Sequence, residues 1–567
     1  MTEAAADSAA DSAPVLTVRD LRISFPGGES RVDAVRGVDL ELRRGEVLAL
    51  VGESGSGKSV TALAAMGLLP PDAQVAGRLL VGDRDVTRLG PAELRDMRGR
   101  EIGMVFQEPT TALNPVLTVG DQIGEALTNH ENLTAAQVRE RTLDLLEAVG
   151  IPEPAERMRA YPHQLSGGLC QRVVIAMAVA CNPAVIIADE PTTALDVTVQ
   201  AQIMRLLREL RDSRGTAILL ITHNMGVVAD LADRVAVMRD GVVVEVGTAE
   251  QVLTDPQHEY TTALLAAVPR LGSGSRAAAT DEPAADRPPT VLDLQDVRVE
   301  YRTLGRPAVR AVDDVTLAVR RGEVVGLVGE SGSGKSTIGR CALGLVPATA
   351  GHVTLLGVDQ RRLRGSRGRK VRRGVGVVLQ NPASALDPRM TVGDSIAEPM
   401  VIHRVGSRAE RQQRVRRLLD DVRLPMSAAD RYPHEMSGGQ RQRVGLARAL
   451  SLEPDLVIAD EPTSALDVSV QETVLRLLTE LQAVHGFGCL FISHDLAVVE
   501  SVAHRVVVLL GGRIVEEGAT QDVLHRPRED YTRLLISSVP VPDPVQQAAR
   551  RAAADAVLRE SARALAG

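Results

Sequence analysis

"GESGSGKS" occurs twice, at Gly52–Ser59 and at Gly329–Ser336, each time after an apolar run ("VLALV", Val47–Val51; "VVGLV", Val324–Val328) and before a helix-forming segment. Both copies fit the G-x-x-x-x-G-K-[ST] spacing of a phosphate-binding loop, and the strand–loop–helix context is what gives that spacing meaning. Glycines let successive backbone N–H groups curl around phosphates, and the positive end of the following helix adds to the potential. The candidate nucleotide-holding residues are Gly52, Ser54, Gly55, Ser56, Gly57, Lys58, Ser59 and Val60, and in the second copy Gly329, Ser331, Gly332, Ser333, Gly334, Lys335, Ser336 and Thr337. Ser59 and Ser336 stand where this loop offers a hydroxyl to Mg²⁺. Lysine usage points the same way, because Lys58, Lys335 and Lys370 are the only lysines in a chain that otherwise takes its positive charge from arginine. A compact ammonium fits where a planar guanidinium does not.

Each loop is followed by the same further motifs. "AVIIADEP" (Ala184–Pro191) and "DLVIADEP" (Asp455–Pro462) are apolar strands ending in paired carboxylates. The pairing divides the labour: Asp189 and Asp460 can hold Mg²⁺ through its water shell, while Glu190 and Glu461 can polarise an attacking water. "LLITHN" and "LFISHD" then place His223 and His494 after another apolar strand, within reach of a γ-phosphate. A lone histidine is usually structural, but two in register with duplicated loops are not lone.

The repetition sets the organisation. A chain of 567 residues is too long for one core, and two similar halves are expected. Each opens with an alternating segment, "LTVRDLRISF" to Phe25 and "LDLQDVRVEY" to Tyr301, which reads as a half-buried antiparallel strand. The expected boundaries are a tail over 1–14, a first nucleotide-binding domain over 15–271, and a flexible Gly/Ser/Ala/Pro-rich linker over 272–290. A second nucleotide-binding domain follows over 291–544, with a tail over 545–567 that forms a surface helix or frays.

Composition narrows the class. The 44% hydrophobic content suits globular domains. The longest apolar run, Val173 to Ala188, is broken by Asn182 and Pro183, short of the roughly 20 residues a bilayer helix needs. The opening "MTEAAADSAADSAP" has neither a basic nor an apolar signal segment, so export is not expected. Cys170, Cys181, Cys341 and Cys489 are scattered without a CxxC pair and read as reduced thiols. A net charge of −8 with 2% aromatic residues gives no footprint for nucleic acid. The basic run Arg361–Gly374 reads as a solvated helix face.

On these residues the chain resembles the ATP-binding cassette (ABC) family across both halves. The resemblance implies an α/β fold of two tandem P-loop NTPase domains, each a mixed sheet with an antiparallel β subdomain and a helical subdomain carrying a signature motif. It implies an ATPase using ATP and Mg²⁺, with Phe25 and Tyr301 stacking on adenine and Gln107 and Gln380 sensing γ-phosphate and Mg²⁺. It also implies Ser166, Gly167 and Gly168 of "LSGG", and Ser437, Gly438 and Gly439 of "MSGG" with Gln440, as signatures that complete the partner cassette's ATP site. Asp196 and Asp467 become D-loop residues and His223 and His494 switch histidines. "QEPTTALNP", "QNPASALDP", "YPHQLSGG" and "YPHEMSGG" are similar to the oligopeptide and dipeptide importer branch, as are "DPQHEYTTALLAAVP" and "RPREDYTRLLISSVP", where Glu529 replaces His258.

That branch implies two integral membrane permease subunits, an extracytoplasmic solute-binding protein, and a place on the cytoplasmic face of the membrane. It implies uptake of oligopeptides or dipeptides, with nickel, glutathione, opines or a peptide antibiotic as alternative cargo. Some members carry a cysteine cluster for an iron–sulfur centre after the cassette; this chain has no cysteine there, so none is expected. A soluble two-cassette ribosome-associated factor is the rival from another class, disfavoured by the short linker and the negative charge.

The copies differ in one informative place. "MSGGQRQRV" begins at Met436, whereas the first copy, beginning at Leu165, reads "LSGGLCQRV", with Leu169 and Cys170 in place of Gln440 and Arg441. In the family's head-to-tail pairing the first copy faces the ATP held by Lys335, Asp460, Glu461 and His494. Losing one hydrogen bond costs about 0.5–1.5 kcal/mol, so two readings stand open: a weakened site, or a neutral replacement. Asn224 after His223, against Asp495 after His494, is a second departure, since only a carboxylate tunes a histidine by charge. Two unequal but hydrolytic sites are the expectation.

Overall fold

In the computed structural model the apolar run before each loop becomes a central strand with all five residues buried, Val47–Val51 (β3) and Val324–Val328 (β13). Residues 13–27, 31–193, 195–272, 288–302, 308–380, 385–464 and 466–553 are described. Most of the expected N-terminal tail and linker, and the end of the expected C-terminal tail, lie outside them.

In the first unit Pro14–Pro26 (β1) pairs antiparallel with Arg31–Arg43 (β2) and with Gln74–Val81 (β4), which runs on to Arg84–Asp85 (β5). The second sheet adds Ile102–Val105 (β6), Val185–Asp189 (β7), Ala217–Ile221 (β8), Arg234–Arg239 (β9) and Val242–Thr248 (β10). Its order is β10-β9-β3-β8-β7-β6, parallel except for the β9–β10 pair. The second unit repeats this with Thr290–Tyr301 (β11), Val309–Arg320 (β12), β13, Ala350–Leu355 (β14), Val358–Asp359 (β15), Val375–Val378 (β16), Leu456–Asp460 (β17), Gly488–Ile492 (β18), Arg505–Leu510 (β19) and Arg513–Ala519 (β20). Its sheets run β12-β11-β14-β15 and β16-β17-β18-β13-β19-β20.

Alternation along the parallel strands feeds two cores. From β7, Ile186 and Ala188 join the cluster with the helices Gly167–Val179 and Val197–Arg214, while Val185 and Ile187 join the cluster under the antiparallel sheet. Register aligns Leu50 of β3 and Asp189 of β7 with Ile221 of β8. The three loops that follow therefore leave one edge of the sheet, where open α/β sheets place their ligands. The run Val173–Ala188 is the end of one helix and then β7, turned by Asn182 at φ 51°. No helix among the described residues is long and apolar enough to cross a membrane. The four cysteines are unbridged, and the basic run forms the mostly exposed helix Gly365–Arg373.

The unit boundaries differ from those expected. The first unit runs to Ala266 and takes in the described residues from Pro540 onward, whereas the second runs from Ala267 to Val539. The expected tail is helical over 544–553 and packs within the first unit. Asp230 Oδ1 accepts hydrogen bonds from Gln547 Nε2 (3.2 Å) and Arg551 Nη1 (3.0 Å), and Asp230 Oδ2 accepts one from Arg208 Nη2 (2.8 Å). A Cβ on Gly226 would lie 2.6 Å from Pro540, so only glycine admits that approach. Within the second unit the Gly272 N–H donates to Glu500 Oε2 (2.7 Å), whose other oxygen lies 2.6 Å from His525 Nε2.

Candidate functional site

The phosphate-binding loops leave β3 and β13 and lead into the helices Lys58–Ala65 and Lys335–Ala342. Gly52 and Gly329 have φ of 150° and 148°, and a Cβ there would sit 2.1 and 2.2 Å from the carbonyls of Met238 and Leu509. Only glycine closes this turn. Lys58 Nζ donates to the carbonyls of Gly52 (2.8 Å) and Glu53 (2.8 Å), and Lys335 Nζ to those of Gly329 and Glu330 (2.7 Å each). Each lysine thus lies buried along the inside of its loop. Ser56 Oγ accepts from Lys58 Nζ (3.3 Å), whereas the buried Ser333 hydroxyl finds no hydrogen-bond partner among the described residues. The sequence reading placed both hydroxyls against nucleotide, and Ser333 has the unmet polarity such a ligand satisfies.

The hydroxyls of Ser59 and Ser336 each lie 3.2 Å from a carboxylate oxygen, of Asp189 and Asp460 respectively. Burial pushes the Asp189 carboxyl up to about 6, against the Ser59 hydrogen bond, and pushes Asp460 upward too. A buried carboxylate beside a hydroxyl, short of countercharge, fits a hard divalent cation. Among the described residues no cluster of three or more His, Cys, Asp or Glu side chains is arranged as a metal site, so such a cation would need water and phosphate oxygens as further ligands.

Glu190 and Glu461 follow β7 and β17 in the left-handed region, φ 48° and 46°. This conformation costs a non-glycine residue on the order of 1–3 kcal/mol. Glu190 Oε1 lies 3.0 Å from His223 Nδ1, and Glu190 Oε2 accepts from Gln107 Nε2 and Thr193 Oγ1, both 2.8 Å. In the second unit Glu461 Oε1 lies 3.2 Å from His494 Nδ1 and Oε2 accepts from Gln380 Nε2 (2.8 Å), but Ser464 Oγ turns to the Glu461 carbonyl instead (3.2 Å). Burial works to raise both carboxyls; the hydrogen bond and charge of the histidine, with further help from the loop lysine, outweigh it, and Glu190 is held at about 2 and Glu461 below its ordinary value. Both are ionised at neutral pH, as a base requires. Burial opposes the charge on His494, but Glu461 and then Asp495 raise its pKa.

Asn224 and Asp495 do the same structural job, each side chain accepting two backbone N–H bonds at the start of the next helix (3.0 and 3.2 Å; 2.9 and 3.2 Å). They differ in charge alone. Ser166 and Ser437 cap the helices Gly167–Val179 and Gly438–Leu450. Gln440 closes a capping box there, its Oε1 accepting from the Ser437 N–H (3.0 Å). The side chain of this glutamine thus makes its bond at its own helix start. Leu169 cannot make it and packs against the core instead, while Cys170 is buried with its thiol toward the Pro162 carbonyl. Asp196 and Asp467 cap the helices Val197–Arg214 and Val468–His485. Phe25 leans on the core at the end of β1, and Tyr301 is 41% exposed at the end of β11.

Sequence reasoning passed over one pair. Glu53 N–H donates to Tyr260 Oη (3.1 Å) and Glu330 N–H to Tyr531 Oη (3.2 Å). The signal was there in the tyrosine shared by the two segments that follow the cassettes, where no phosphate chemistry was being sought.

Comparison with known proteins shows the family. A model of the ABC transporter family matches residues 35–193 and 312–464, and one of the oligopeptide/dipeptide transporter C-terminal region matches 244–295 and 515–563. The glutathione import ATP-binding protein GsiA of Escherichia coli K12 is 45% identical over 95% of this chain and 92% of its own length. The peptidoglycan transport ATP-binding protein YejF of Agrobacterium fabrum is 47% identical over 93% of this chain and 96% of its own. A solved ATP-binding cassette, dimeric and in a post-hydrolysis state with ADP and Pi, aligns with 41% of this chain and 98% of its own at 30% identity and a TM-score of 0.38.

Proposed function

The chain belongs to the ABC transporter family as an ATP-hydrolysing importer subunit, and from that membership we propose that it drives uptake of small peptides or peptide-like solutes through separate membrane permeases. One observation carries the reading: both units hold a full set of loop lysine, serine–aspartate pair, and glutamate bonded to histidine and glutamine, followed by the peptide-transporter C-terminal region. Relatives named for glutathione import and peptidoglycan transport support peptide-like cargo.

In each cassette Lys58 or Lys335 releases loop carbonyls to meet the β- and γ-phosphates as the backbone N–H groups turn on them. Ser59 with Asp189, and Ser336 with Asp460, would hold Mg²⁺, which would neutralise phosphate charge. Glu190 and Glu461 orient water and take its proton. Gln107 and Gln380, bonded to those carboxylates, would turn to the γ-phosphate and to a metal held there, which makes them reporters of the nucleotide state. The histidines hold the glutamates and offer their far ring nitrogen to the γ-phosphate. Phe25 and Tyr301 take the adenine, Asp196 and Asp467 fix the D-loops, and the Ser166 and Ser437 helix starts complete the opposite cassette's site when the two pair head to tail.

The proposed setting is the cytoplasmic face of the membrane, with two permeases and an extracytoplasmic solute-binding protein. Purification of the chain from its own cells in mild detergent, with mass spectrometry of what accompanies it, tests this. Two multi-span proteins and a binding protein are expected; ribosomal proteins in their place would sink the transport reading and leave the ATPase chemistry.

A further inference from the structure

The peptide joining Gly52 to Glu53 is gripped at both ends. Its carbonyl accepts from Lys58 Nζ (2.8 Å) and its N–H donates to Tyr260 Oη (3.1 Å). The peptide joining Gly329 to Glu330 is gripped identically, by Lys335 Nζ (2.7 Å) and Tyr531 Oη (3.2 Å). Because a trans peptide points its C=O and N–H in opposite directions, the tyrosine decides which way the carbonyl faces the lysine. Without it this peptide loses one of its anchors at a glycine, which permits both signs of φ.

The tyrosines are themselves held. Tyr260 is only 8% exposed and lies under the Arg239 guanidinium, 4.9 Å from its ring centroid. Its helix, Glu259–Ala266, is tied to β10 by Glu245, which accepts the N–H groups of Gln257 (2.8 Å) and His258 (3.2 Å). In the second unit Glu516 of β20 accepts those of Arg528 (2.8 Å) and Glu529 (3.2 Å). The backbone tie thus survives the exchange of His258 for Glu529.

We infer that Tyr260 and Tyr531 are positioning residues of the two ATP sites: each phenol fixes the first peptide of its phosphate-binding loop, so the C-terminal element after each cassette sets that cassette's affinity for nucleotide. This rests on the ATP-site reading above. Each phenol meets the loop through a backbone N–H, so its effect on nucleotide is indirect.

The test is Tyr260→Phe, Tyr531→Phe and the double variant in the full chain, with calorimetric titration of ATP and ADP in Mg²⁺ and with ATPase kcat and KM. Loss of one hydrogen bond predicts about two- to tenfold weaker binding of both nucleotides at one site in each single variant and at both in the double. KM should rise by more than kcat falls. A Tm within about 2 °C of the parent establishes that the fold is intact. Unchanged affinity in both single variants would overturn the inference, as would a fall in kcat and Tm with KM unmoved. If the parent itself binds no ATP, the ATP-site reading has failed, a result distinct from either.

Discussion

The two cassettes hold nearly the same bonds among their candidate site residues and differ in what surrounds them. Ser59 and Ser336, Gln107 and Gln380, and His223 and His494 keep their partners to within about 0.2 Å. The differences fall around these: a closed capping box at Ser437 against an open one at Ser166, an aspartate at 495 against an asparagine at 224, and a Thr193 hydroxyl on the Glu190 carboxylate where Ser464 turns to a carbonyl. Duplicated sites of this kind diverge first where a change tunes the chemistry without removing it.

The strongest way to break that comparison is to remove each base in turn. Glu190→Gln and Glu461→Gln should each lower steady-state turnover about 10²- to 10³-fold, with residual rates that differ; equal residual rates would mean equal sites, and total loss in one alone a single working site.

Next is Asp189→Asn, expected to abolish most turnover yet stabilise the nucleotide-free chain. With a carboxyl at about 6 against 3.8 unperturbed, the folded state keeps a proton that the unfolded chain has lost between those values. Stability therefore falls as pH rises through this window, and the cost, on the order of 2–3 kcal/mol, is complete at pH 7. The asparagine variant should melt a few degrees higher at pH 7.5, with the gap closing below about pH 4. An equal melting temperature at pH 7.5 would show that the charge is already compensated.

A smaller effect separates packing from ligand contact at the signature. Leu169→Gln should close the missing box and raise stability by about 0.5–1 kcal/mol, and Gln440→Leu should lower it by as much. ATP affinity that changes while thermal unfolding does not would return the glutamine to the ligand. Smallest of all, Asp495→Asn keeps its cap but removes a charge that raises His494, so the alkaline limb of the ATPase pH profile should move to lower pH. Asn224→Asp should move it the other way, and no movement in either would leave Asn224 and Asp495 as caps alone.

Much of this was legible because phosphate chemistry demands fixed residue types at fixed spacing. The loops, the Asp–Glu pairs and the histidines could be named from sequence, and period-2 alternation gave β1 and β11. Gln440 shows the limit. S-x-x-Q ahead of a helix is a capping-box pattern in plain view, but the signature motif claimed the same residues for ATP. Tyr260 and Asp230 mark another limit, since periodicity reports that a side chain is buried and stays silent on its partner. Nothing local to Asp230 foretells Arg551, 321 positions away.

That last distance has a consequence in time. A ribosome that has finished residue 266 has made every strand of the first unit, yet the segment that answers Asp230 is made only after every strand of the second. Until the second has been translated, Asp230 of the first-made cassette has Arg208 but lacks Gln547 and Arg551. A gene cut at the linker would give each half-protein a terminal strip suited to the other's body, so the fusion keeps the right ends within reach at the moment they are needed.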